Sequence, residues 1–175
     1  MRKDIRTETS KRIIKESLNE LLKSENLNKI TVQRICEEAE ISRTTLYRYY
    51  LSVDDIILDI EKDCVARLMK IVKSVKNADS AIILSKLFKE IQAEPSYLKI
   101  AFCDTDRFDN LVTETLFPFV KEKMATEWSG KTEEQQLLLF RFIVYGVNGL
   151  IKDWVDSKFT RDTNMIAEII NGIAF

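Results

Sequence analysis

The chain has 175 residues, 45% hydrophobic and 31% charged, with a formal net charge of −1. That is enough apolar material for a core and excludes a disordered polymer, while the length is near that of one ordinary domain, so a second functional unit has to be small. No histidine is present, which removes the usual general base, the commonest zinc ligand and every histidine-dependent triad; with no glycine-rich phosphate loop and no paired metal spacing, the sequence predicts no enzyme, no metal and no cofactor.

Four glycines and two prolines interrupt long stretches of Leu, Ile, Lys and Glu, so the expected fold class is all-α. Ile13, Ile14, Leu18, Leu21 and Leu22 share one stripe of a helix from about Thr9 to Ser24. After a polar link over 25–29, Thr31 is positioned to cap a second helix that turns Val32, Ile35, Cys36 and Ala39 inward. Glu40 and Ile41 then make a tight turn, and Ser42 caps a third helix with Leu46 and Tyr50 on its inner face. Ser52 and Asp55 have capping-box spacing for a fourth helix, whose apolar side runs from Ile56 through Val72 to about Lys76.

A break over Asn77 to Ser80 precedes a helix through Ile82, Leu87 and Ile91, and Pro95 suits the first turn of the next, with Tyr97, Leu98 and Phe102. Asp104 to Asp106 caps a stretch to Trp128, which Pro118 should kink or divide and Gly130 should close. Thr132 and Gln135 box a long helix to about Ser157, and Asp162 or Thr163 opens the last, through Ile166 and Ile170. The expectation is about nine helices, no strand and no repeat.

The segment 137–155 is dense in Leu, Phe, Ile and Val, but Arg141, Asn148, Lys152 and Asp153 argue against a membrane span, which needs about 20 largely uncharged residues. A helix apolar nearly all round is instead buried on two sides, one against its own core and one against a partner subunit. Phe140, Val144, Val147, Ile151 and Trp154, with Ile166 and Ile170, are the expected interface of a homodimer that pairs these two helices with their symmetry mates. Gly146 and Gly149 inside the helix each cost about 1 kcal/mol relative to alanine, which close approach of another helix, or of a ligand, would explain. Tyr97, Cys103, Phe117, Trp128, Tyr145 and Asn148 are candidate effector contacts, each also readable as a core residue. Cys36, Cys64 and Cys103 are odd in number and lie in apolar patterns, which reads as buried thiols; a sensing role for Cys103 stays open.

Residues 1–50 carry 11 Lys and Arg against 8 Asp and Glu, and the remainder 16 against 20, so a polyanion fits the N-terminal end better. A helix that enters the DNA major groove should be short, capped, packed by a few apolar residues and polar outward. Ser42 to Tyr50 meets each condition, leaving Arg43, Thr44, Tyr47 and Arg48 for the groove or its walls. Arginine pairs bidentately with guanine, threonine offers a hydroxyl and a methyl, and tyrosine donates to phosphate. The other reading makes Tyr47, Tyr49 and Tyr50 an aromatic core cluster, but three consecutive helical positions cannot all point inward.

The run ITVQRICEEAEISRTTLYRYY at 30–50, followed by SVDDI at 52–56, resembles the DNA-binding region of TetR-type transcriptional regulators, over about residues 9 to 60. The resemblance implies an all-helical homodimer on double-stranded DNA, with a helix-turn-helix domain at 1–51 and a C-terminal effector-binding and dimerisation domain at 52–175. Position by position it implies base-edge contacts from Gln33, Arg43, Thr44 and Thr45, and phosphate contacts from Thr31, Tyr47, Arg48 and Tyr49. Two positions depart from the family pattern. Glu40 stands where glycine is usual, a place that would demand positive φ, and Val53 replaces a lysine that would meet phosphate. The run FRFIVYGVNGLIKDW at 140–154 resembles a subgroup that includes regulators of dihydroxyacetone kinase genes, which implies either a small-molecule or a protein effector.

The function expected is therefore a cytoplasmic repressor that binds a palindromic operator as a homodimer under effector control, with no membrane partner. The polar opening, Met1 to Lys11, fits that location. The alternative is a helical interaction module, or coactivator, that depends on a protein partner.

Overall fold

The computed structural model describes residues 2–75 and 80–174, with side chains over 6–75, 82–94 and 98–172. The described chain is helical, without a strand, and forms two compact units, residues 1–60 and 61–175. The expected break at 77–79 lies outside the described residues.

The first unit holds α1 (Arg2–Leu21), α2 (Val32–Glu38), α3 (Arg43–Tyr47) and the start of α4 (Val53–Ser74). Its core is Ile14, Leu18, Ile35, Leu46, Ile56 and Ile60, all fully buried, with Tyr50 nearly so. Thr31 caps α2 by accepting from the Arg34 amide at 3.2 Å, and Ser42 caps α3 by accepting from the Thr45 amide at 3.1 Å. The turn between them is a Schellman closure: the Ile41 amide donates to the Cys36 carbonyl at 3.0 Å and the Glu40 amide to the Glu37 carbonyl at 3.3 Å. Glu40 takes φ of 52° there, so the glycine position is met by a strained glutamate. Ser52 and Asp55 cap α4 reciprocally, each contact at 3.1 Å.

Asp59 on α4 ties this unit together. It accepts from the Tyr50 hydroxyl at 2.6 Å and pairs with Lys15 at 2.9 Å and Lys11 at 3.4 Å. Burial pushes its carboxyl up, but the bonds from Tyr50 and Lys15 outweigh that and hold it below the usual range.

The second unit holds the rest of α4 with α5 (Ser80–Ala93), α6 (Pro95–Ala101), α7 (Thr105–Lys123), α8 (Glu133–Asp156) and α9 (Thr163–Ala174). α7 packs on α8, and α9 on α5 and α8. Trp154 is fully buried between Phe88 and Phe159, with ring centroids 5.0 and 4.9 Å away, and its indole N–H donates to the Arg161 carbonyl at 3.1 Å. Asp104 caps α7, and Thr132 with Gln135 makes the full capping box of α8.

Pro118 does not divide α7, which runs through it to Lys123. The proline and Glu114, whose carbonyl loses its partner, are both exposed, so water can take the orphaned bond. The helix ends before Trp128, which is buried in the following turns, and Gly130 closes that segment at φ 80°.

Candidate nucleic-acid interface

α3 is five residues long, and Leu46 and Tyr50 anchor its inner side. Arg43, Thr44 and Arg48 are exposed and Tyr47 is 49% exposed, so the Tyr47–Tyr50 cluster splits between surface and core. Thr45 is half-buried and its hydroxyl lies 2.9 Å from that of Ser42, so it serves the cap. Tyr49 is half-buried, and a hydrogen bond with Ser10 on α1 draws its phenol below the ordinary value. Thr31 and Gln33 are exposed at the start of α2.

Gln33 and Arg43 meet across the turn, the Arg43 guanidinium donating to the Gln33 side-chain carbonyl. The Gln33 amide nitrogen in turn donates to Glu37 at 3.0 Å, and Arg34 bonds both Glu37 at 3.1 Å and Glu25 at 2.7 Å. Bonds from Gln33 and Arg34 hold the Glu37 carboxyl below its ordinary value, so it stays charged. One bond to Gln33 still leaves further Arg43 N–H groups to donate, since a guanidinium carries five donors.

In the second unit an apolar cavity of about 160 Å³ is walled by Leu116, Val120, Trp128, Phe140, Val144 and Asn148, among others. Of the candidate effector contacts, Trp128 and Asn148 line it. Asn148 is buried, and its amide donates to Asp109 at 2.6 Å, the partner an amide in an apolar helix needs. Phe117 instead packs on Phe140 at 5.7 Å, Tyr145 is 47% exposed, and the exposed Cys103 thiol donates to the Lys99 carbonyl at 3.3 Å. The Tyr97 side chain lies outside the described residues. Cys36 is buried, and burial pushes the Cys64 thiol up to about 12.

The residues expected at a dimer face take two places within this chain. Phe140, Val144, Val147 and Ile170 line the cavity, while Ile151, Trp154 and Ile166 are buried in the core of their own chain. The outward apolar stripe of α8 is Leu138, Phe142 and Tyr145, and Met165 and Ile169 are the large exposed apolar residues of α9. Gly146 and Gly149 lie on that exposed stripe, and a Cβ at either would meet nothing within 4 Å of the chain. Sequence reasoning also missed Glu61, fully buried on α4, which Arg107 of α7 grips through Nε at 2.9 Å and Nη2 at 2.8 Å.

A family model described as a transcriptional regulator C-terminal region matches residues 79–175, more than half of the chain. The protein belongs to the TetR family of transcriptional regulators. A solved structure named dihydroxyacetone kinase operon activator DhaS shares the fold, with a TM-score of 0.63 over 94% of this chain and 93% of that one, at 12% identity. No curated protein matches the sequence. Among the described residues, no helix is long and apolar enough to cross a membrane.

Proposed function

We propose that this TetR-family member is a cytoplasmic repressor, not an enzyme, that binds a palindromic DNA operator as a homodimer and is released by an effector. Residues 1–51 serve as the reading head and 52–175 as the effector and dimerisation domain. The observation that carries the reading is α3: a short, Ser42-capped helix anchored by Leu46 and Tyr50, with Arg43, Thr44, Tyr47 and Arg48 facing outward. Arg43 reads guanine, and Gln33, by holding the guanidinium, sets the angle at which it does so. Thr44 and Thr45 complete the base-edge set, Thr45 from its place beside the cap. Thr31, Tyr47, Arg48 and Tyr49 position the head on phosphates.

The second copy covers Leu138, Phe142, Tyr145, Met165 and Ile169, and the exposed glycines let its helices approach closely. Symmetry then places two reading helices about 34–36 Å apart, on successive major grooves. DNA favours that spacing and an effector in the second unit favours another, so each shifts the population against the other. Activation is the competing sign of control, and the name of the structurally similar protein, an operon activator, speaks for it.

Selection of bound duplexes from a random library tests the reading. The expected winners are palindromic, lose affinity steeply with salt, and relax at one guanine position when Arg43→Ala or Gln33→Ala is used. Enrichment of a single unpaired half-site would refute the dimer, and no enrichment at all would refute sequence-specific binding.

A further inference from the structure

The cavity in the second unit has a chemistry that narrows what it can hold. Its wall is almost wholly aliphatic and aromatic, and the amide nitrogen of Asn148 already donates to Asp109. The exception is Lys123, an exposed residue that also contributes to the wall. The Lys123 ammonium lies 5.6 Å from the centroid of Phe119, another wall residue, and the Lys73 ammonium lies 5.8 Å from the same ring. Two cations therefore gather on one aromatic ring at the solvent-exposed edge of an apolar cavity. Neither lysine forms an ion pair among the described residues.

The geometry points to a medium-chain carboxylate as the occupant, its hydrocarbon tail in the cavity and its head at the exposed edge near the Lys123 and Lys73 ammonium groups. Volume fixes the length: dry apolar cavities of about 150 Å³ take a benzene-sized molecule, so about 160 Å³ admits a tail of six to eight carbons and no long acyl chain. Charge favours an anionic head, because an amine would meet the repulsion of two ammonium groups and a neutral head would gain nothing from either. That such a ligand acts as an effector rests on the function proposed above; the class of ligand does not.

Calorimetric titration of the full chain with sodium octanoate, 1-octanol and a series from butanoate to dodecanoate tests this. Octanoate should bind about tenfold more tightly than octanol, as two exposed ion pairs allow. Affinity should rise about fourfold for each methylene buried, and level off near eight carbons. The surface substitutions Lys73→Ala and Lys123→Ala together should bring octanoate down to octanol while leaving octanol unchanged. Failure of octanoate to bind, equal affinity for acid and alcohol, or a rise that continues to dodecanoate would each overturn the inference. If selected DNA still binds when octanoate does not, only the ligand class falls. If octanoate binds to a chain that selects no duplex, the proposed sequence-specific DNA binding falls and the carboxylate site stands.

Discussion

Glu40 occupies a backbone conformation that costs an L-residue about 1–2 kcal/mol, at φ 52° in the closure between α2 and α3. Its side chain is exposed and makes no hydrogen bond or ion pair among the described residues, so replacing it removes no contact. Glycine adopts this φ freely but loses about 0.4–1 kcal/mol through the greater freedom of the unfolded chain. The net gain from Glu40→Gly is then about 0.5–1 kcal/mol. Both tryptophans, Trp128 and Trp154, lie in the second unit, so hydrogen exchange at the α2 and α3 amides is the better probe of the first. Those amides should exchange about two- to fivefold more slowly in Glu40→Gly than in Glu40→Ala. The alanine variant removes the same charge but keeps a Cβ, so the difference isolates the backbone. Equal protection in the two variants would refute the argument that strain, rather than charge, burdens this turn.

Two further outcomes follow from ion pairs. Arg107→Leu strands the fully buried Glu61 and should lower the stability of the second unit by about 3 kcal/mol in urea unfolding followed by tryptophan fluorescence, whereas Glu61→Leu combined with Arg107→Leu should restore much of it. Asp59 has a folded value below its unfolded one, so its stabilisation is present above the unfolded value of about 3.9 and is lost as pH falls through the folded value. Acid unfolding of the first unit should therefore be shallower in Asp59→Asn, and the variant and parent curves should converge at the acid end.

The parts of the fold legible in the sequence were those set by neighbours three or four residues apart. The caps at Thr31, Ser42, Ser52, Asp104 and Thr132 sit where residue type and spacing put them, whereas the positive φ of Glu40 was implied by the family resemblance, which puts glycine at that place. α8 was illegible in a specific way. A helix apolar nearly all round carries no phase, so nothing local told Phe140 and Trp154, which are buried, from Leu138 and Phe142, which are not. Pairings across long separations were also beyond reach: the need of Asn148 for a partner was readable, but Asp109 lies 39 positions away, and Arg107 lies 46 from Glu61. Gln33 was marked only by the family resemblance, as a base-edge contact; its bond to Arg43 depends on how the turn folds.

The shortness of α3 limits how much text the proposed reading head can hold. Five residues rise about 7.5 Å, little more than two steps of about 3.4 Å along a duplex, so one head inspects about three base pairs. A word of three letters recurs everywhere among the roughly 10⁶ or more sites of a genome. A symmetric pair doubles the word at no cost in additional sequence, and the spacing between its halves adds a further constraint that chance rarely meets. In a regulator built this way, the address is written as much by the distance between two copies as by the side chains that touch the bases.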